Sequence, residues 1–303
     1  MAFKNTQEFI KTLESENELK RISAEVDSVL EVTEISDRMS KTHGPALLFE
    51  KIKGSSFPLL INAFGSFRRM KMALGCDAFD DIGRRIEALI KIRPPGSFTQ
   101  KIKMLFDLKA LAAISPQKVK HGPCQQRIFG PEGPLLDMIP ILTCWPEDGG
   151  PFITLPVVIT KDPDTGVQNM GMYRMHKYDN ATTGMHWQYN KDGSRHFDKY
   201  KSRGERMEVA VALGGSPLVT YASTAPLPPD IDELLLAGFI GSRSIQITRA
   251  KTIDIFVPAE SDIIVEGYVD PDEERIEGPF GDHTGFYSPA DLYPVFHVTC
   301  ITC

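Results

Sequence analysis

From about residue 119 onward, prolines and glycines interrupt the chain roughly every ten residues. The pieces between them are short and rich in valine, isoleucine and threonine: TLPVVIT, VQNMGMYRM, EVAVALGG, SIQIT, DIIVEGYV and YPVFHVTCI. Branched side chains suit a pleated, half-buried surface, and proline removes a ladder donor. This rhythm predicts a β-barrel or sandwich over residues 119–303. One helix, DIDELLLAGFIG, interrupts it, with Asp230 or Asp232 near its N-terminus.

The first part reads differently. Residues 5–15 predict a helix, with Asn5 as cap, Glu8 completing a capping-box pattern, and Phe9, Ile10 and Leu13 on one face. The same period recurs at Val29, Val32, Ile35 and Met39, and Gly44 stops it. ALLFEKI and FPLLINAFG predict buried strands, and helices follow near 77–91 and 98–113, divided by RPPGS. Alternating helices and strands predict a small α/β domain over residues 1–118. The expected class is therefore α+β / α/β in two domains. A length of 303 residues, 42% hydrophobic and 24% charged, supports two ordinary cores.

Several functions are disfavoured. The net charge of −6 argues against a nucleic-acid groove. No N-terminal signal pattern and no apolar run of about 18 residues predict a cytoplasmic chain without a membrane span. Of the five cysteines, Cys300 and Cys303 form a CxxC without a second pair, so free thiols are expected rather than a zinc site.

The polar groups that apolar strands do not need fall into two sets. Asn169, His186 and Glu233 offer an amide oxygen, an imidazole and a carboxylate, a fairly hard donor set suited to manganese or magnesium. One carboxylate does little to neutralise a dication, so a phosphate is the expected companion. Alternatively each fills an ordinary core or cap role. Arg174, Glu277 and Asp282 form the second set. A buried guanidinium can hold a substrate carboxylate while one of two carboxyl groups carries a proton. Alternatively Glu277 and Asp282 tie down the glycine-rich loop EGPFGDHTG. Met170, Met172, Met175 and Met185 are either packing around an aromatic cofactor or ordinary core. Asn169 and Arg174 differ by five positions, which puts them on opposite faces of an ideal strand. A bulge near Gly171 or the strand's end must intervene.

NMGMYRM, HWQ, PLPPDIDEL and EGPFGDHTGFY, followed by YPVFHVT, occur in an order that resembles the UbiD-type decarboxylases, the 3-polyprenyl-4-hydroxybenzoate decarboxylase family. The resemblance runs from about residue 3 to residue 303. It implies an N-terminal α/β domain and a split β-barrel related to flavin reductases. It implies prenylated FMN as cofactor, made by a partner flavin prenyltransferase, with Mn2+ (or Mg2+) at its phosphate and K+ nearby. Asn169, His186 and Glu233 match the metal ligands. Thr154, Asn169, Met170, Arg174 and Gln188 fall where the family holds the flavin. Arg174, Glu277 and Asp282 match the catalytic set. The implied reaction is reversible, non-oxidative decarboxylation of an aromatic or α,β-unsaturated acid, with a 3-polyprenyl-4-hydroxybenzoate-type quinone precursor preferred. A polyprenylated substrate would place the protein peripherally at a membrane. The sequence departs from the family by stopping on a strand, before the C-terminal domain through which family members form homo-oligomers. Two other readings stand: a truncated flavin- or metal-binding protein without activity, and an FMN-dependent oxidoreductase. Against the latter, no GxGxxG follows a strand.

Overall fold

The structure is a computed structural model and describes residues 3–90, 113–227 and 231–303. Helix α1 (Thr6–Ser15) opens the fold, and the Asn5 side chain accepts the Glu8 N–H. Glu8 reaches back to the N–H of Lys4 at 2.6 Å, one residue beyond the reciprocal partner a capping box requires. Phe9, Ile10 and Leu13 are buried, as the period predicts.

β1 (Leu19–Val26) and β2 (Ala46–Ile52) are parallel, with α2 (Glu31–Lys41) as the crossover between them. Parallel neighbours need such a crossover. β3 (Leu59–Ile61) adds antiparallel to β2. Val32 of α2 packs with Val26, Leu47, Phe49 and Ile52, whereas Val29 lies before the helix and is exposed. α3 (Phe67–Leu74) is capped by Ser66 and ended by Gly75 in the left-handed conformation. α4 (Phe79–Ile90) follows. Leu74 and Ile82 from these two helices pack into the next core, with Ile159, Ala210 and Leu234. The helix expected over 98–113 falls almost wholly outside the described residues, as does Asp230.

The second half is built around one antiparallel sheet. It contains β5 (Ile128–Phe129), β7 (Val157–Lys161), β8 (Gln168–Met172), β10 (Thr182–Gly184), β11 (Met207–Leu213), β14 (Ile263–Glu277) and β17 (Asp291–Thr302). The order is β10-β17-β14-β11-β7-β8, with β5 paired to β17. The path is open, with β8 and β10 at its two ends. Both faces are covered. On β11, Met207, Val209 and Val211 enter one cluster and Ala210 and Ala212 the other, the period-two alternation of a strand. Among the described residues three helices accompany the sheet where the sequence predicts one: α5 (Asp192–Arg203), α6 (Pro217–Ala222) and α7 (Glu233–Gly241). Small sheets complete the unit: β4 (Gln117–Lys118) with β12 (Gln246–Arg249) and β13 (Phe256–Pro258), β6 (Phe152–Ile153) with β9 (Met175–His176), and β15 (Phe280–Gly281) with β16 (Tyr287–Ser288). No described helix is long and apolar enough to cross a membrane. All five thiols are free.

β14 and β17 pair along most of their lengths, with register shifts at Glu266/Gly267 and at Val269/Glu274. A Cβ on Gly267 would stand 1.9 Å from the carbonyl oxygen of His297, so only glycine permits the strands to close there. The long ladder ends at Glu277, the last residue of β14, which pairs with Asp291 at the start of β17 and stays buried.

A seam fastens the start of the chain to this second unit. Lys4 pairs with Glu260 at 2.8 Å, and the Asn5 amide donates to the same carboxylate. The Thr6 hydroxyl meets Gly215 and Asp262, and Ser216 donates to the carbonyl of Phe3.

Candidate functional site

β8 pairs with β7 in unbroken register from Val157↔Met172 to Lys161↔Gln168. It stops at Met172, so Tyr173 and Arg174 lie outside the alternation before β9 begins. The strand's end, with no bulge at Gly171, frees Arg174 from the face dictated by Asn169. Met170, Met175 and Met185 are buried among core residues, so the ordinary role of methionine applies to them.

Asn169 meets Glu233, the first residue of α7. The Asn169 amide donates to Glu233 Oε1 at 2.7 Å, and the Met170 N–H donates to Oε2 at 2.9 Å. Asp232 caps the helix through the Leu234 N–H. Burial pushes the Glu233 carboxyl up to about 7, against the lowering effect of the Met170 and Glu233 backbone N–H groups. Asn169 Oδ1 is buried and has no hydrogen-bond partner. A buried acceptor left so costs about 1–3 kcal/mol.

The other cluster centres on Glu277, whose side chain is fully buried. Its Oε1 accepts from Arg174 Nε at 3.0 Å and lies 2.8 Å from His186 Nδ1. Its Oε2 is buried without a partner. Arg174 uses only Nε in this pairing, and the rest of its guanidinium lies 4.6 Å over the Phe280 ring. Among the described residues nothing engages its two terminal amino groups, which form a fork suited to a carboxylate. The His186 ring packs at 4.4 Å against Tyr293, and its backbone N–H donates to the carbonyl of Arg174. Donation from His186 Nδ1 to a carboxylate leaves Nε2 with the lone pair, the arrangement that orients histidine metal ligands.

The remaining expected residues are placed differently. Asp282 lies in the loop after β15 and hydrogen-bonds to the ring and backbone N–H of His283, with no direct contact to Arg174 or Glu277. Partial burial would raise its carboxyl, but these His283 hydrogen bonds and the nearby charges of His283 and Arg174 hold it below the usual value. Thr154 and Gln188 are exposed. Met170 contributes its backbone N–H to Glu233 while its side chain is core.

Sequence reasoning missed His176 and Asp148. His176 is buried, stacks at 4.5 Å on Phe152, and accepts the Gly278 N–H at Nδ1. Asp148 Oδ1 accepts the Gly281 N–H at 2.7 Å, while its Oδ2 takes the N–H groups of Cys144 and Trp145. Together they hold the segment that follows Glu277. The signal for His176 was its place inside NMGMYRMHKYDNATTGMHWQ; no sequence signal links Asp148 to Gly281.

Burial lowers the His176 pKa, against the raising effect of Glu277. The native state therefore binds this proton less readily than the unfolded chain. Stability is intact above the ordinary histidine value of about 6.5 and is lost as the pH falls from there toward the lowered value. His176→Gln, which can still accept from Gly278, is expected to flatten that acid-side loss. Denaturant unfolding of both forms at about pH 7 and pH 5 tests it; equal losses would remove His176 from the account.

Comparison with known proteins agrees with this architecture. Residues 117–303 match the model described as the 3-octaprenyl-4-hydroxybenzoate carboxy-lyase Rift-related domain, and residues 10–86 match the N-terminal domain of the same carboxy-lyase. The chain belongs to the UbiD family. An uncharacterized protein of Archaeoglobus fulgidus is 49% identical over 303 residues, covering 100% of this chain and 62% of that relative. One from Aquifex aeolicus is 46% identical over 302 residues, covering 99% of this chain and 62% of that relative. The chain thus spans about three-fifths of the length of these relatives. Among solved structures, an evolved dimeric form of the UbiD-class enzyme HmfF from Pelotomaculum thermopropionicum, in complex with prFMN, superposes with a TM-score of 0.85 at 27% identity. It covers 99% of this chain and 65% of that one. The closed form of Sedimentibacter hydroxybenzoicus vanillic acid decarboxylase gives 0.86 at 25% identity, covering 100% and 62%. The mixed α+β fold is that of UbiD-class carboxy-lyases.

Proposed function

We propose that this chain carries the cofactor-holding and proton-delivering groups of a prenylated-FMN-dependent decarboxylase. Its substrate would be an aromatic or α,β-unsaturated carboxylic acid, with a 3-polyprenyl-4-hydroxybenzoate-type quinone precursor as the preferred member. The observation that carries the reading is Glu277: one oxygen engaged by Arg174 and His186, the other buried and unpartnered. The reading also includes curling of the open sheet into a split barrel, cofactor supply by a flavin prenyltransferase, homo-oligomer formation, and peripheral membrane association for a polyprenylated substrate.

The donor types suit a hard divalent cation, and two of them, Asn169 and Glu233, are in contact. Asn169 Oδ1 is a buried acceptor without a donor, as a cation requires. Asn169, Glu233 and His186 Nε2 would hold Mn2+ or Mg2+, with K+ at neighbouring oxygens. Thr154, Met170 and Gln188 would border the flavin. Prenylated FMN, when bound, supplies the electron sink for the departing carboxylate. Arg174 orients the substrate carboxylate through its free fork. Phe152 and Phe280, 4.6 Å apart, keep water from the guanidinium face. Glu277 is the general acid in this reading: its Oε2, buried and without a partner, is the oxygen that would deliver a proton to the carbon that loses carbon dioxide. Asp282 extends the proton network from the loop.

Native mass spectrometry with metal analysis, after co-expression with a flavin prenyltransferase, tests the reading. Bound prenylated FMN with one divalent metal is expected; protein without either would sink it. Asn169→Ala is expected to lower Mn2+ retention through dialysis by about tenfold or more, the scale of a lost ligand or its support. Glu233 keeps its Met170 hydrogen bond in that variant, so the fold should survive. Unchanged metal content would exclude Asn169 as a ligand.

A further inference from the structure

Arg243 follows α7 and lines a cavity of about 140 Å³ together with Lys4, Ser216, Ser244 and Glu260. None of these residues belongs to the Arg174–Glu277 or Asn169–Glu233 clusters. Arg243 Nε is buried and has no hydrogen-bond partner. Among the described residues no carboxylate pairs with its guanidinium. Glu260, the acidic group of the cavity, is already committed to Lys4 Nζ at 2.8 Å and to the Asn5 amide at 3.1 Å. Two cations and one carboxylate leave a single positive charge. Ser216 donates its hydroxyl hydrogen to the Phe3 carbonyl, so it offers the cavity only an acceptor.

We propose that this cavity binds a small planar oxyanion, a carboxylate or bicarbonate, through Arg243. The guanidinium is a planar fork of donors matched to such an ion. The terminal amino groups, which have no hydrogen-bond partner among the described residues, are the donors that meet the ion, and the buried, unpartnered Nε–H beside them gains from its negative charge. The residual charge suits a monoanion. The volume is well below the roughly 300 Å³ at which pockets for organic cofactors begin, so the ligand is of acetate size. Lys4 belongs to the N-terminal segment and Arg243 and Ser216 to the second unit. A bound ion therefore bridges the seam and steadies the docking of α1.

The test is a titration of the protein with sodium acetate, and separately with bicarbonate and with phosphate, at constant ionic strength against chloride. The readouts are the arginine Nε–H resonances and thermal stability. One Nε–H resonance, missing in Arg243→Gln, is expected to shift and saturate, with stability rising in parallel. Arg243→Lys, which keeps charge without the fork, should weaken the acetate-dependent stabilisation about tenfold. Whichever anion saturates at lower concentration identifies the source. A response linear in concentration, one matched by chloride, or one undiminished in Arg243→Gln overturns the site. Saturation by phosphate alone overturns the planar ligand. Should Arg243→Gln fail to fold, wild-type saturation and the Arg243→Lys comparison decide the question.

Discussion

Replacing Glu277 with glutamine is expected to reduce decarboxylation by roughly 10²- to 10⁴-fold while leaving the fold and flavin content intact. The amide oxygen can take the place of Oε1 and accept from both Arg174 and His186, so the buried cluster keeps its hydrogen bonds. The amide nitrogen then occupies the Oε2 position and has no carboxyl proton to deliver. Steady-state turnover on the cofactor-loaded enzyme, with flavin absorbance and thermal midpoint alongside, separates the outcomes. Full turnover would remove Glu277 from the chemistry. Joint loss of flavin and stability would make it a structural residue.

Gly149→Ala should damage the same site without touching any group proposed to act on substrate. A Cβ at Gly149 would stand 2.1 Å from the Gly278 oxygen and 2.5 Å from its carbonyl carbon. Both atoms are backbone, so no side chain can swing aside. The Gly149 N–H also donates to Pro279 at 2.7 Å, and that bond must lengthen when the loops separate. Overpacking of this kind costs about 1–3 kcal/mol. A shift of about 1 Å at neighbouring Glu277 is enough to lower turnover about 10²-fold. Denaturant unfolding and turnover measure the two effects. Wild-type values for both would show that the loops can part freely and that Glu277 does not depend on them.

What could be read from the sequence was what is local. α1 declares itself through Asn5 and the spacing of Phe9, Ile10 and Leu13, and β11 through its uninterrupted apolar alternation. β1 was missed because it is an edge strand, LKRISAEV, with only Val26 buried and no period to detect. α5 was missed for a similar reason: in DGSRHFDKYKSR the sole large apolar side chain it buries is Phe197. The site was partly legible, since Arg174 and Glu277 meet across 103 positions and Asn169 and Glu233 across 64. No spacing rule predicts such distances; only the spaced motifs grouped these residues. The motifs could not show that His186 gives its Nδ1 to Glu277, or that Asp282 turns to His283. Both depend on where β14 ends and how the next loop folds back.

The seam at the start of the chain bears on how the protein is made. Thr6 is held by Gly215 and Asp262, 209 and 256 positions away. At about 5–20 residues per second, a ribosome finishes Thr6 some ten seconds or more before it reaches Gly215. Through that interval α1 has its own cap at Asn5 but no dock for the residues in front of it. The apolar face of the helix can settle early, since Phe9 and Leu13 pack with Ala46, Ala63 and Ala73, but the residues at its start stay undocked until β11 and the start of β14 exist to receive them. Substitutions at Lys4, Asn5 or Thr6 therefore weigh on a late joining of the two units, although these residues are made long before their partners.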